Sequence, residues 1–93
     1  MRFVWDENKN RINRAKHGIS FESAMFAFDD PAMLSRPDRF RGSEERLQCL
    51  GYSGNTLLAV AYTFRHHHGE EVCRIISARR ATKHERNLYE EDP

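Results

Sequence analysis

The sequence predicts an α+β fold: a short N-terminal strand, two helices, an antiparallel meander sheet and a C-terminal helix, in that order. Capping residues mark the ends of three helical stretches, and three consecutive stretches of the second half have the apolar spacing of strands. With 93 residues, the chain is shorter than a usual domain, so we expect a single domain over residues 1–93. This order predicts helices on one side of the sheet and leaves the other side available to a ligand.

The first strand contains Phe3 and Trp5, and it ends at Asp6, a good N-cap residue. A helix then runs from Glu7 to His17, and Gly18 stands where a left-handed C-cap residue is needed. The apolar face of this helix is thin, so the helix either lies across the surface or presents polar side chains to a partner. Its apolar residues on that face are Ile12 and Ala15.

Ser20 caps a second helix, which Asp30-Pro31 ends. Its apolar residues recur at three- and four-residue spacing: Phe21, Ala24, Met25 and Phe28. A short strand over residues 32–35 follows. Residues 36–43 then form a polar turn with Pro37 and Gly42, and we expect this turn to be the most mobile part of the chain.

The meander contains three predicted strands joined by two connections of hairpin length. The strands are Glu45–Tyr52, Leu57–Phe64 and Glu71–Ala78. The middle strand is apolar on both faces, which places it between the other two. Thr82 and Glu85 have the spacing of a capping box and open a last helix from Lys83 to Glu91.

The composition suits a small globular protein, with 39% hydrophobic and 31% charged residues and no apolar run long enough for a bilayer. The N-terminus has no apolar stretch after Arg2, so we expect no targeting peptide and a cytoplasmic location. Cys49 and Cys73 lie in apolar stretches and are expected to be reduced. The formal charge of +1 argues against non-specific coating of nucleic acid, yet bases gather in residues 9–17 and 79–86.

Several motifs have the order and spacing of a known family. In the first half they are Phe3-x-Trp5-Asp6-x-x-Lys9 and Asn13-x-x-Lys16-His17-Gly18-Ile19-Ser20-Phe21. In the second half they are Asp30-Pro31, Glu45-Arg46, Leu50-Gly51 and Arg74-Ile75-Ile76-Ser77-Ala78-Arg79-Arg80-Ala81-Thr82-x-x-Glu85-Arg86-x-x-Tyr89. On these motifs the chain resembles the BrnT family of type II toxins.

The resemblance implies a RelE-like fold, a ribonuclease activity that inhibits translation and arrests growth, and RNA as the substrate. It also implies neutralisation by a small cognate antitoxin of the BrnA kind, in a heterotetramer. Operator DNA would be contacted only through that antitoxin, and no membrane is involved.

RNA can be cut without a metal when the 2′-hydroxyl attacks the neighbouring phosphate, which requires a base, cations on the phosphate oxygens and an acid. We therefore expect no metal and no other cofactor. Glu44, Arg46 and Gln48 share one side of a strand, and Arg74 could join them from another strand. Glu44 could be the base, and the two arginines could bind phosphate. Spacing alone favours a solvated face with weak ion pairs, whereas the resemblance favours the functional interpretation for Arg46 and Arg74.

Arg79, Arg80 and Lys83 surround the predicted junction between the last strand and the last helix, where backbone N–H groups favour anions. We expect Arg79 to be catalytic, and Arg80 and Lys83 to bind RNA. The sequence supports equally well an alternative in which these bases pair with acids such as Glu85 or Asp29 and fix the last helix.

His17 ends the first helix, where it could act as a catalytic acid or simply cap the helix, and Gly18 favours capping. Lys9, Asn13 and Lys16 share one face of that helix. Lys9 and Lys16 are therefore candidates for contact with RNA or antitoxin, although a solvated face explains them equally well.

The run from His66 to His68 could suggest a metal site. However, adjacent strand residues point to opposite faces, and no Cys or carboxylate completes a tetrahedral set by spacing. An exposed hairpin tip is favoured.

Two functions from different classes remain. The first is a metal-independent endoribonuclease toxin that leaves 2′,3′-cyclic phosphate ends. The second is a non-catalytic corepressor subunit that tunes the binding of its antitoxin to operator DNA. A plain RNA-binding module is less favoured, because exposed aromatic pairs that stack bases are missing from the sequence.

Overall fold

The computed structural model of the chain describes residues 1–41 and 44–91. Within them, helices and a single sheet form the α+β fold that the sequence predicted. None of the described helices is long and apolar enough to cross a membrane. In chain order the elements are β1 (Arg2–Val4), α1 (Glu7–His17), α2 (Phe21–Ala24), a 3-10 helix (Met25–Asp29), β2 (Leu34–Arg41), β3 (Glu44–Ser53), β4 (Thr56–His67), β5 (Glu70–Arg80) and α3 (Lys83–Glu91).

The sheet has the strand order β1-β5-β4-β3-β2. β3, β4 and β5 pair antiparallel, so the meander and the central position of β4 are confirmed. β1 lies beside β5 and runs parallel to it, with Phe3 opposite Cys73. The meander strands are longer than predicted at both ends, and the connection between β4 and β5 is therefore only His68 and Gly69.

Residues 36–41 form a strand, so the prediction of a turn is wrong for them. They belong to β2, an edge strand that pairs only with β3. Pro37 and a register shift at Asp38 suit this position, because one side of an edge strand needs no backbone partner. Gly42 and Ser43, the rest of the predicted turn, lie outside the described residues.

One face of the sheet carries the apolar core and is covered by α2 and the 3-10 helix, with α1 against β5. The 3-10 helix approaches β3 closely at Gly51, where a Cβ atom would collide with the carbonyl oxygen of Ala27. The large side chains buried in this core include Phe21, Leu58, Val60, Tyr62 and Ile75.

The opposite face is called the open face below, although α3 covers one end of it. Leu50 and Leu57 point to this face and are fully buried, so apolar strand residues on this side also need cover. Tyr89 of α3 donates a hydrogen bond to Asp30 at 2.6 Å and packs edge-on against Tyr52. The prediction that the helices are segregated to one side is therefore wrong for α3.

α1 contacts the sheet and α2 through asparagines and not through its thin apolar face. Asn13 donates to the carbonyl oxygen of Ala78 at 2.7 Å and accepts from the Ala78 N–H at 3.2 Å. Asn10 accepts from the N–H of Phe21 at 2.8 Å, whereas Ile12 is 56% exposed. Asn13 thus supplies the partners that the β5 backbone requires where β1 has ended, and Asn10 joins α1 to the start of α2.

A bulge at Ile76 decides which residues of β5 reach the open face. Ala61 is opposite Ser77 and Tyr62 is opposite Ile75, so Ile76 is the extra residue. Arg74 and Arg79 are five positions apart, which regular alternation would place on opposite faces. The bulge places both on the open face.

Cys49 and Cys73 are buried and unbridged, as expected from the sequence. Burial raises the pKa of each thiol to about 12. Both therefore remain protonated and unreactive near neutral pH.

Candidate active site

The centre of the open face is a shallow trough with a floor of small side chains. Ala59, Ala61 and Thr63 follow one another along β4, and Ser77 lies beside Ala61 on β5. Ala59 and Thr63 are only 3% and 2% exposed, so the long cationic or polar side chains that border this floor on both sides also cover much of it. The bordering residues are Arg46 and Gln48 of β3 and Arg74 and Arg79 of β5.

Arg46 and Arg74 stand on either side of Thr63. Thr63 is directly opposite Arg74, and Arg46 lies on the strand that follows on the other side, so about 10 Å separates the two arginine backbones. Both residues are half-buried. Among the described residues, neither guanidinium forms an ion pair, and the buried Nε of Arg46 has no acceptor. Two uncompensated cations therefore face each other across the trough.

Arg79 differs from these arginines because it is paired with Glu85. Its Nη1 and Nη2 groups donate to the two carboxylate oxygens at 2.7 and 2.9 Å. The Thr82 N–H donates to Glu85 at 2.9 Å, and the Glu85 N–H donates to the Thr82 hydroxyl, which confirms the capping box. Glu85 is only 5% exposed. The Arg79 hydrogen bonds, which outweigh the effect of burial, lower the pKa of Glu85 to about 2.

A second arginine joins this carboxylate from β2. Arg36 donates from Nε and Nη2 to the side-chain oxygen of Gln48 at 2.9 and 2.7 Å, and Nη2 lies 3.6 Å from Glu85. Gln48 also donates to Glu85 at 3.4 Å. Arg36, Gln48, Arg79 and Glu85 form what we call the Glu85 network. It links three strands to α3. This is the arrangement expected if Arg79 pairs with Glu85 to fix the last helix.

Glu44, the predicted base, shares the open face with Arg46 but contacts a different arginine. Its carboxylate accepts a hydrogen bond from Arg65 at 3.0 Å. Arg65 follows Thr63 by two positions on β4, so this pair lies at the hairpin end of the trough. The Glu44 side chain is 32% exposed, which leaves it accessible to a ligand.

His17 lies with the two lysines in a separate depression beside the trough. This cavity, of about 210 Å³, is bordered by Lys9, Lys16 and His17 of α1 and by Ile76 and Ser77 of β5. Because Ser77 also belongs to the floor of the trough, the two depressions adjoin at the edge of β5. The structure thus brings the α1 candidates together but keeps them apart from the arginine pair.

The structure does not assemble the predicted phosphate cradle of Arg79, Arg80 and Lys83. β5 extends to Arg80, so Arg79 and Arg80 are neighbouring strand residues that point to opposite faces. Lys83 is the exposed first residue of α3, and the first turn of that helix is already capped by Thr82 and Glu85. These three cations face different surroundings.

The histidine run lies largely in β4. His66 and His67 continue the ladder with β5, while His68 and Gly69 form the turn with positive φ angles. His66 and His67 line a cavity of about 330 Å³ on the open face. Within residues 1–41 and 44–91, no three His, Cys, Asp or Glu side chains meet in the way a metal site requires.

A comparison with known families gives this basic surface a context. The model of a family described as the ribonuclease toxin, BrnT, of type II toxin-antitoxin systems matches residues 5–85. The chain belongs to the BrnT family. A comparison with curated proteins finds no match. The matched range includes the trough and the Glu85 network, so the resemblance that the motifs indicated is confirmed.

Membership of the BrnT family makes RNA the substrate class and an antitoxin the expected partner. RNA is a polyanion, and cationic side chains supply most of the affinity of proteins for its backbone. The trough, with arginines on both sides, has the charge that such a strand requires.

For this BrnT-family chain, sequence reasoning missed Arg36 and Arg65. Arg36 precedes Pro37, a residue that favours a turn, so the sequence offers no signal for its place on the sheet. Arg65 follows the predicted end of the middle strand at Phe64. Alternation continued past Phe64 would have placed Arg65 on the same face as Thr63.

Proposed function

We propose that this chain is a metal-independent endoribonuclease that binds an RNA strand in the trough. In the proposed reaction the ribose 2′-oxygen loses its proton and attacks the adjacent phosphorus, while the bond from phosphorus to the 5′-oxygen breaks and that oxygen gains a proton. The products are a 2′,3′-cyclic phosphate and a 5′-hydroxyl. Cleavage of messenger RNA would inhibit translation and arrest growth.

The observation that carries this proposal is the uncompensated pair of Arg46 and Arg74. The two residues are half-buried, the Arg46 Nε is buried without an acceptor, and neither guanidinium has an ion pair among the described residues, so an incoming phosphate would supply the missing partner. In the transition state, negative charge increases on the phosphate oxygens. Donors already held in place at that position lower the barrier most.

Arg79 is the third catalytic candidate, but its charge is shared. A phosphate bound at Arg79 would compete with the Glu85 carboxylate for Nη1 and Nη2. We therefore propose a smaller contribution to transition-state binding from Arg79 than from Arg46 or Arg74. Lys83, Lys9 and Lys16, which are exposed, would contact more distant phosphates, whereas Arg80 points to the face opposite the trough.

Glu44 and His17 are the candidates for proton transfer, and their separation restricts their roles. Glu44 contacts Arg65 of β4. His17 borders the same depression as Ser77, which is opposite Ala61 of β4. Arg65 and Ala61 are four positions apart on β4. This corresponds to about 13 Å along the strand, so one phosphate cannot contact both. Glu85 is a weak base because its pKa is about 2.

We propose that a small antitoxin of the BrnA kind blocks the trough with an acidic segment that folds in part on binding. DNA would then be bound by the antitoxin and not by this chain. This blocking would explain neutralisation by competition with RNA for the same arginines.

The test is cleavage of an end-labelled RNA by the purified chain, with and without excess chelator. Cleavage should persist in chelator, and mass spectrometry should find 2′,3′-cyclic phosphate ends. The same oligonucleotide with 2′-deoxyribose throughout should remain intact, because it lacks the attacking oxygen. Loss of cleavage in chelator contradicts the metal-independent reaction. A chain that binds its antitoxin but cleaves RNA under neither condition is instead the corepressor subunit.

A further inference from the structure

The open face has a second basic depression at its hairpin end, which we call the hairpin cavity. It has a volume of about 330 Å³ and lies beyond the trough, next to the turn between β4 and β5. Its lining comes from three strands and comprises Arg2 and Val4 of β1, Arg65, His66 and His67 of β4, and Val72 and Arg74 of β5.

We propose that the hairpin cavity binds one nucleotide of unpaired RNA, next to the nucleotide that is cleaved. The arginines would hold its phosphate, and the half-buried Val4 would contact its base or ribose. This inference rests on the proposed function only in taking RNA as the ligand.

The register of the sheet places two arginines around one small residue. Arg2 is opposite Val72 across β1 and β5, and Arg65 is opposite the same Val72 across β4 and β5. The backbones of Arg2 and Arg65 are thus two strands apart, about 10 Å. A phosphate above Val72 is within reach of the Arg2 and Arg65 side chains. In the same way, a phosphate above Thr63 is within reach of Arg46 and Arg74.

The carboxylates near the cavity compensate these arginines only weakly. Arg2 lies 4.0 Å from Glu70, and the two side chains are 53% and 61% exposed. Arg65 pairs with Glu44, and the Arg65 side chain is 50% exposed. Exposed pairs of this kind contribute little to stability, so a phosphate can replace the carboxylates at small cost. Arg74, at the boundary with the trough, has no such pair among the described residues.

The floor and size of the cavity fit a single nucleotide. Val72 is 3% exposed and Val4 is half-buried, so an apolar floor lies beneath the cations. Proteins recognise unpaired RNA by packing bases against side chains of this kind and against histidine or arginine planes. His67, which alternation places on the same face as Arg65, supplies such a plane at the wall. The volume is at the lower end for a ligand site and too small for a duplex.

The hairpin cavity continues the track of the trough. Val72 and Arg74 are two positions apart on β5, as are Thr63 and Arg65 on β4. From above Thr63 to above Val72 the step is two residues along the strand and one strand across, about 8 Å, close to the distance between successive phosphates of an extended RNA strand. A strand with one phosphate between Arg46 and Arg74 would have its neighbour above Val72.

The experiment measures binding of a labelled 2′-O-methyl oligonucleotide of about eight nucleotides, which cannot form a cyclic phosphate. Fluorescence anisotropy over a range of salt concentrations compares the full chain with the double variant Arg2→Gln/Arg65→Gln. We expect the affinity of the variant to fall about tenfold, and the slope of log K against log salt to become less negative by about one. The double variant Arg2→Lys/Arg65→Lys should recover most of the slope, because the charges return.

A charge-matched control is Arg11→Gln/Arg14→Gln, which removes two exposed arginines from α1. It should leave both affinity and slope at the values of the unmodified chain, and melting temperatures check that all variants fold. Unchanged binding by Arg2→Gln/Arg65→Gln, while the unmodified chain cleaves RNA, overturns the proposal. Loss of antitoxin binding with unchanged oligonucleotide binding also overturns it. Weaker oligonucleotide binding by this variant, when the unmodified chain cleaves no RNA, supports the subsite and contradicts the ribonuclease instead.

Discussion

Arginines at two places on the open face have opposite surroundings. At the α3 end, Arg36 and Arg79 share one carboxylate, Glu85, which is 5% exposed. In the middle of the face, Arg46 and Arg74 border a floor of small residues and have no carboxylate partner among the described residues. The residue type and the face are the same, but the environment of the guanidinium differs.

This difference separates a structural use of arginine from a binding use. A guanidinium held by a buried carboxylate fixes two elements relative to each other, and its removal leaves a buried charge without a partner. A guanidinium without a carboxylate adds little to folding and is free to bind an anion. Substitutions in the two groups should therefore affect different quantities.

The largest effect should follow the replacement of the uncompensated pair. Arg46→Ala and Arg74→Ala should each lower the single-turnover cleavage rate by about a hundredfold, on the order of 3 kcal/mol in activation free energy. The melting temperature should change little, because neither side chain forms an ion pair among the described residues. Cleavage assays and thermal denaturation on the same preparations measure the two quantities.

Arg11→Ala is the control for this prediction, since it also removes one positive charge but lies on the exposed side of α1. Its cleavage rate should match that of the unmodified chain. The proposed catalytic role would be wrong if Arg46→Ala and Arg74→Ala kept the full rate. It would also be wrong if their rates fell only in proportion to the folded fraction.

Substitution in the Glu85 network should have a smaller effect, and this effect should be on the free energy of unfolding. Arg79→Ala should lower the free energy of unfolding by about 2 to 3 kcal/mol, because it breaks a two-pronged bond to a buried carboxylate. For a chain of this size the melting temperature should fall by about 10 to 15 °C. Arg79→Lys should recover only part of the loss, since lysine keeps the charge but not the paired donors.

A double-mutant cycle with Glu85→Gln sharpens this prediction. Arg79→Ala should cost less stability in the Glu85→Gln background than in the unmodified chain, because the ion pair is already lost. The single variant Arg79→Ala can also contradict the structural role. Unchanged stability together with a hundredfold slower rate per folded molecule would place Arg79 with Arg46 and Arg74 as a catalytic residue.

Local sequence signals predicted most of the fold. Asp6, Gly18 and the pair Thr82 and Glu85 set the helix ends where the structure has them, because capping depends on a few neighbouring residues. The failures involve partners that are distant in the chain. Residues 36–41 become a strand only by pairing with β3, and α3 crosses to the open face to cover Leu50 and Leu57.

The candidate site was predicted less well, for the same physical reason. Alternation correctly placed Glu44, Arg46 and Gln48 on one face, but it does not predict the bulge at Ile76. Only that bulge brings Arg74 and Arg79 to the same side. The choice of Glu85 as the partner of Arg79 also depends on where α3 lies and cannot be inferred from spacing.

The smallest effect concerns the pH dependence of folding, which tests the Glu85 network without removing an arginine. Hydrogen bonds from Arg79 lower the pKa of Glu85 from 4.5 to about 2. Because the folded pKa is below the unfolded one, the stabilisation is fully present above the unfolded pKa and is lost as pH falls toward the folded one. Between about pH 6 and about pH 3, the unmodified chain should lose on the order of 2 kcal/mol that Glu85→Gln does not lose.

Urea denaturation of both proteins at each pH gives this difference, with Glu90→Gln as the control for the removal of one carboxylate from α3. Parallel stability curves for the unmodified chain and Glu85→Gln would mean that Glu85 is not the anchor of α3. Arg36 and Arg79 would then have no structural role to set against the binding role of Arg46 and Arg74.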